Sequence, residues 1–144
     1  MKAARAVNVL IDTSIWSAAL RRRSKPAGSR EAVQERHLRE LIAQGLAIMI
    51  GPVRQELLSG IDEEAFFERL RVRLGAFSDL PLETADFEMA AQCANRCRRA
   101  GLAGALTDFQ VCAVALRRNL AIFTADRDFQ RFARILPLTF YTPA

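Results

Sequence analysis

The stretch Val7-Asn8-Val9-Leu10-Ile11-Asp12-Thr13-Ser14-Ile15-Trp16 decides the fold. Val7–Ile11 is short, apolar and β-branched, which reads as a strand, and it stops at an acid. Ser14 then caps a helix that runs to about Arg22. The opening unit is therefore strand, acid, helix.

The same alternation continues outward from it. Leu38, Leu41 and Ile42 form a helical stripe ending at Gly45, and Leu46–Ile50 follows as a buried strand. Pro52 suits the first position of the next helix, which holds Glu56 near its middle and ends at Gly60. Asp62 caps a further helix with Phe66, Phe67, Leu70 and Leu74 on its apolar side and Gly75 as its stop. Phe77–Leu82 reads as a third strand, and Thr84 and Asp86 open a helix to Gly101. Thr107-Asp108-Phe109-Gln110 has the form of a capping box, which puts Asp108 in the first turn of a helix closed by Asn119. Leu120–Phe123 and Leu138–Tyr141 are the last strands, and Asp126-Arg127-Asp128-Phe129 starts a short helix between them. Strands alternating with helices imply a central parallel sheet covered on both faces, a three-layer α/β/α sandwich. With no repeat, low-complexity tract or linker, residues 1–144 read as one domain.

Composition narrows the function classes. A chain of 144 residues that is 51% hydrophobic and 26% charged has enough apolar surface to fold by itself. Its longest apolar runs are strand-sized, short of the roughly 20 residues that span a bilayer, so no membrane role is expected. Lys2 and Arg5 precede an apolar run that ends at Asp12 with no small-residue cleavage site, so a cytoplasmic location is expected. Cys93, Cys97 and Cys112 are odd in number and lie in helical segments, which suits core thiols in a reducing compartment. A structural zinc site would need four ligands, and His37 is the only histidine available to add. The net charge of +5 is the footprint of a protein that meets a polyanion. The segment from Arg21 to Arg30, with Pro26, Gly28 and five basic residues, is a solvated loop or a phosphate-contacting surface.

Four acids fall at the carboxyl ends of strands or on the helices that follow: Asp12, Glu56, Asp108 and Asp126. Taken one at a time, each also suits a turn, a cap or a helix surface. As a cluster they repel, by roughly 4 kcal/mol for two carboxylates about 4 Å apart at a dielectric near 20, and a divalent cation removes that cost. Oxygen-only ligands select Mg²⁺ or Mn²⁺ over zinc or copper, and the chemistry that follows is hydrolysis of a phosphodiester by metal-activated water. Asp128 reads as a partner of its own helix dipole and is left outside the site.

The segments Leu10-Ile11-Asp12-Thr13-Ser14, Arg54-Gln55-Glu56-Leu57-Leu58-Ser59-Gly60, Thr107-Asp108-Phe109-Gln110-Val111-Cys112-Ala113 and Thr124-Ala125-Asp126-Arg127-Asp128-Phe129, in this order and spacing, resemble the PIN-domain family and its VapC-type toxins. That resemblance implies an α/β/α fold, an RNA substrate, a cognate VapB-type antitoxin and a homodimer. It implies Asp12 and Asp108 as ligands of Mg²⁺ or Mn²⁺, with Glu56 and Asp126 completing the catalytic set. Thr13 or Ser14 would orient Asp12, and Thr124 would do the same for Asp126. Trp16 reads first as a core or interface aromatic, with base stacking the alternative. A phospho-receiver domain is the rival with similar topology, but Asp12 lacks an acidic neighbour and Phe123-Thr124-Ala125 contains no lysine. A non-catalytic RNA-binding module of the same fold is the other rival, and it would have lost one of the four acids.

Overall fold

The computed structural model describes residues 7–20 and 24–143. The basic N-terminal residues Lys2 and Arg5, and Arg21–Arg23 of the basic segment, lie outside them. A parallel sheet of three strands forms the centre, in the order β2-β1-β3, with helices flanking it. Strand β1 (Val9–Ile11) is the middle one, pairing Leu10 with Ile48 of β2 (Ala47–Ile48) and with Ile122 of β3 (Ala121–Phe123). A central strand covered on both faces has no polar side to offer, which is why all three of its residues are apolar and buried. Val7 is 53% exposed and lies before the pairing begins, so the strand is shorter than its sequence run.

The connection from β1 to β2 passes through α1 (Thr13–Leu20) and α2 (Arg30–Ala43). From β2 to β3 it passes through α3 (Gly51–Leu58), α4 (Glu64–Leu74), α5 (Thr84–Arg99) and α6 (Leu106–Arg118), and α7 (Asp128–Phe132) follows β3. Helix α6 buries Val111–Ala115, and with Ile11, Ile50, Val53, Phe123, Phe129 and Phe132 it supplies much of the core. The three cysteines are free and buried in α5 and α6.

Two expected strands shrink to single parallel bridges, Met49 with Asp79 and Ile122 with Phe140. In the first case the Arg54 guanidinium takes the carbonyls of Leu74 and Phe77 and the carboxylate of Asp79, so the backbone is held by a side chain and not by a ladder. Pro81 ends that segment and Pro137 precedes the other, and a proline has no N–H to donate. Three caps also differ from expectation. The carbonyl of Asp12 itself starts α1 by accepting from Ile15 and Trp16, and Ser14 sits in the first turn. Glu63 and not Asp62 precedes α4. Ala105 and not Thr107 is the N-cap of α6, which makes Asp108 its third residue.

Candidate metal centre

Because β1 and β3 run parallel and adjacent, their carboxyl ends meet at one edge, where the Asp12 N–H donates to the Phe123 carbonyl at 2.9 Å. Asp12 is only 4% exposed. Its Oδ2 accepts from Ser14 Oγ at 2.7 Å and from Thr124 Oγ1 at 2.8 Å, so two hydroxyls from different elements fix the carboxylate. The same hydroxyls order the next loop: the Ala125 N–H donates to Ser14 Oγ at 2.9 Å and the Asp126 N–H to Thr124 Oγ1 at 3.0 Å. Asp126 Oδ1 in turn accepts from the Asp128 N–H at 2.9 Å. Thr124 therefore serves Asp12 through its hydroxyl hydrogen and Asp126 through its oxygen. The Thr13 hydroxyl is buried with no protein partner, so of the two candidates Ser14 is the one that reaches Asp12.

The start of α6 delivers Asp108, whose Oδ2 accepts from the Ala105 N–H at 3.1 Å. One carboxylate oxygen from each of Asp108, Asp126 and Asp128 lies within 4.8 Å of the others. Asp128 thus stands inside the cluster that sequence reasoning draws without it. An Asp-x-Asp pair at a helix start is the available signal, but the helix dipole accounts for Asp128 equally well on local grounds. Asp12 and Glu56 lie outside that trio but close enough to act on it. Burial first, and then the charges of Asp12, Asp126 and Glu56, push the Asp108 carboxyl up to about 6. Burial also raises Asp12, partly offset by the hydrogen bonds from Ser14 and Thr124. Glu56 itself is exposed on α3.

These features fit a divalent cation. The trio offers oxygen donors only, spaced for shared ligation, and Asp108, raised first by burial and then by the charges of Asp12, Asp126 and Glu56, would be relieved by a cation. The thiols take no part, since burial holds all three of them protonated. Trp16, 3% exposed and packed on Phe77 with ring centroids 4.8 Å apart, is a core aromatic and has no face for a base.

A sequence model of the PIN domain matches residues 9–135. The chain belongs to the PIN domain family. It is 33% identical over 132 residues to VapC ribonuclease Mb1587 of Mycobacterium bovis and to ribonuclease VapC11 of Mycobacterium tuberculosis, covering 90% of this chain and 95% of each relative. Among solved structures, FitAcB from Neisseria gonorrhoeae superposes with a TM-score of 0.71 at 20% identity, covering 94% of this chain and 97% of that one. VapBC2 from Rickettsia felis, bound to a DNA fragment from its promoter, superposes at 0.69 with 15% identity, covering 92% and 96%. These two likenesses support the PIN fold, and the acid cluster sits where that fold's strands end.

Proposed function

We propose that this PIN domain is an endoribonuclease toxin that hydrolyses RNA phosphodiester bonds with Mg²⁺ or Mn²⁺ and is restrained by a cognate VapB-type antitoxin. The observation that carries the reading is the carboxylate trio beside buried Asp12, with Asp108 raised by burial and further by its acidic neighbours. The names of the ribonuclease relatives support the substrate class, and those of the complexes support the partner. RNA and antitoxin would be met in the cytoplasm, and the homodimer is part of the same reading.

In this reading Asp12 and Asp108 are the principal ligands, Asp126 and Asp128 close the site, and Glu56 adds charge at its rim. The ion, when bound, would neutralise the scissile phosphate and lower the pKa of a water. The chain supplies the positioning. Ser14 and Thr124 hold Asp12 in one orientation, the Ala105 N–H holds Asp108, and the Asp128 N–H holds Asp126. The expected result is cleavage of RNA by the purified chain in Mg²⁺ or Mn²⁺, none in chelator, and none by Asp108→Asn. Cleavage in chelator, or an active Asp108→Asn, would overturn the reading.

A further inference from the structure

A cleft of about 850 Å³ opens beside the acid cluster and shares Thr124, Ala125 and Asp126 with it. Its walls carry Arg30 from the start of α2 and Arg127, Arg131 and Arg134 from around α7, and Asp126 is the only acid in its lining. All four arginines are exposed. Arg131 makes an ion pair with Asp128 at 3.4 Å, and among the described residues the other three have no acidic partner. Four guanidinium groups around one cleft repel each other in the free protein, and an anion that runs past several of them relieves that repulsion.

Two further features name the anion. The cleft shares Thr124, Ala125 and Asp126 with the acid cluster, so what lies in it reaches the proposed site of cleavage. Phe140 and Tyr141 also line it, giving a half-buried aromatic surface. Tyr141 is fixed in place, its hydroxyl hydrogen-bonded with His37 Nδ1 at 2.8 Å and its ring against Phe123 with centroids 5.0 Å apart. Phosphate-binding arginines with aromatics between them are the recognition chemistry of a single strand, whose unpaired bases can stack. An acidic peptide would use the arginines and leave the rings without a role.

We propose that this cleft is the track for a single RNA strand on one side of the cut, with Arg30, Arg127, Arg131 and Arg134 taking phosphates and Phe140 and Tyr141 taking bases. This rests on the ribonuclease reading and adds to it the side from which the strand enters and the residues that grip it. Sequence preference on that side of the cut would be set here and not at the acids.

The test is binding in chelator, so that the strand stays intact, using a labelled single-stranded RNA, the matching duplex and a polyglutamate probe. Arg127→Gln with Arg134→Gln should weaken the single strand about tenfold at low salt. It should also flatten the slope of log affinity against log salt by about 1.4, or about 0.7 for each phosphate that is no longer neutralised. Arg30→Gln, on a different element, should act in the same direction, and Arg69→Gln on α4 should change neither quantity. Overturning results are an unchanged slope in the double variant, an equal loss in Arg69→Gln, or duplex binding as tight as the single strand. No wild-type binding at low salt would overturn it too, as would loss of polyglutamate binding alone, which would assign the cleft to an acidic peptide. Metal-dependent cleavage by the wild type, lost in Asp108→Asn, tests the ribonuclease reading separately and stands whichever way the cleft result falls.

Discussion

Asp108 and Asp12 are both displaced upward from the ordinary carboxylate range, chiefly by burial, but their surroundings differ. Asp12 has two hydroxyl donors that stabilise its ionised form, whereas Asp108 has one N–H and is raised further by the charges of Asp12, Asp126 and Glu56. Raised to about 6 from the ordinary 3.8, Asp108 binds more protons in the native state than in the unfolded chain between those values. Its contribution to stability is therefore present below about pH 4 and lost as the pH rises through about 6. Metal-free Asp108→Asn should melt above the wild type at about pH 7 to 8 and lose that advantage near pH 4. Thermal melts across this range in chelator check it, and a variant less stable at about pH 8 would contradict it. Thr124→Val removes the hydroxyl that serves both Asp12 and Asp126, so Mn²⁺ should bind about 10–100-fold more weakly while the fold persists. Calorimetric titration with Mn²⁺ measures this, and unchanged affinity would reduce Thr124 to a loop residue. Asp12, Asp108 and Asp126 are legible in the sequence because each follows a strand or opens a helix, and Glu56 because it lies on the helix that follows a strand. Asp128 is not, because its value depends on the distance to Asp108, 20 positions earlier, which no local pattern carries.

Helix ends are legible where backbone chemistry is stringent. Gly45 and Gly101 have φ of +70° and +81°, and Asn119 has φ 54°, a left-handed conformation that few other residues adopt without cost. Starts are less legible, because several polar residues in a row can each cap and only tertiary packing chooses among them. At α6 the choice is made by Gly104. A Cβ there would lie 2.6 Å from Phe132 Cζ and 3.0 Å from Phe109 Cζ, so the chain passes against two core rings just before the helix begins. That approach places Ala105 as the N-cap and aims Asp108 at the acid cluster. Gly104→Ala should cost about 1–3 kcal/mol by overpacking, since Phe132 is 1% exposed and cannot move aside. It should also lower cleavage beyond what the reduced stability explains, by shifting Asp108. Chemical denaturation beside rates well below the melting temperature separates the two, and full activity at unchanged stability would contradict the argument. The far end of α6 is tied down by Asp86, which local sequence marks only as a helix start. Asp86, 2% exposed, takes Arg117 at 2.6 Å and Arg118 at 2.8 Å. Burial would raise it, but the Glu83 N–H and the two arginines outweigh that and hold it at about 2.

At the scale of the whole molecule, an excess of five positive charges coexists with an acidic centre, and the two are neighbours: four arginines line the cleft, and it shares Asp126 with the carboxylate cluster. The homodimer has less behind it. The exposed large apolar residues are Val7 before β1 and Phe66, Val72, Phe87 and Leu106, spread over α4, α5 and α6, while Ile15 and Trp16 of α1 are buried. Single exposed apolar residues are ordinary on a protein surface, so the proposed dimer rests on resemblance, and a concentration-independent monomer in sedimentation would overturn it. The chemistry of the cut is constrained more firmly. RNA cleavage through the substrate's own 2′-hydroxyl commonly needs one group to take a proton and another to give one, a task suited to a pair of histidines. This chain has a single histidine, and His37 Nδ1 is engaged with the Tyr141 hydroxyl at 2.8 Å. What remains is a carboxylate cluster suited to a hard cation, which favours water as the nucleophile and leaves the 2′-hydroxyl out of the reaction. The products should carry a 5′-phosphate and a 3′-hydroxyl, and a 2′-deoxy substitution at the scissile nucleotide should weaken binding at most. End-labelling and sequencing of the fragments decides it. A 2′,3′-cyclic phosphate, or a cut abolished by the single deoxy substitution, would mean that the carboxylates serve some other step and that the nucleophile is the RNA itself.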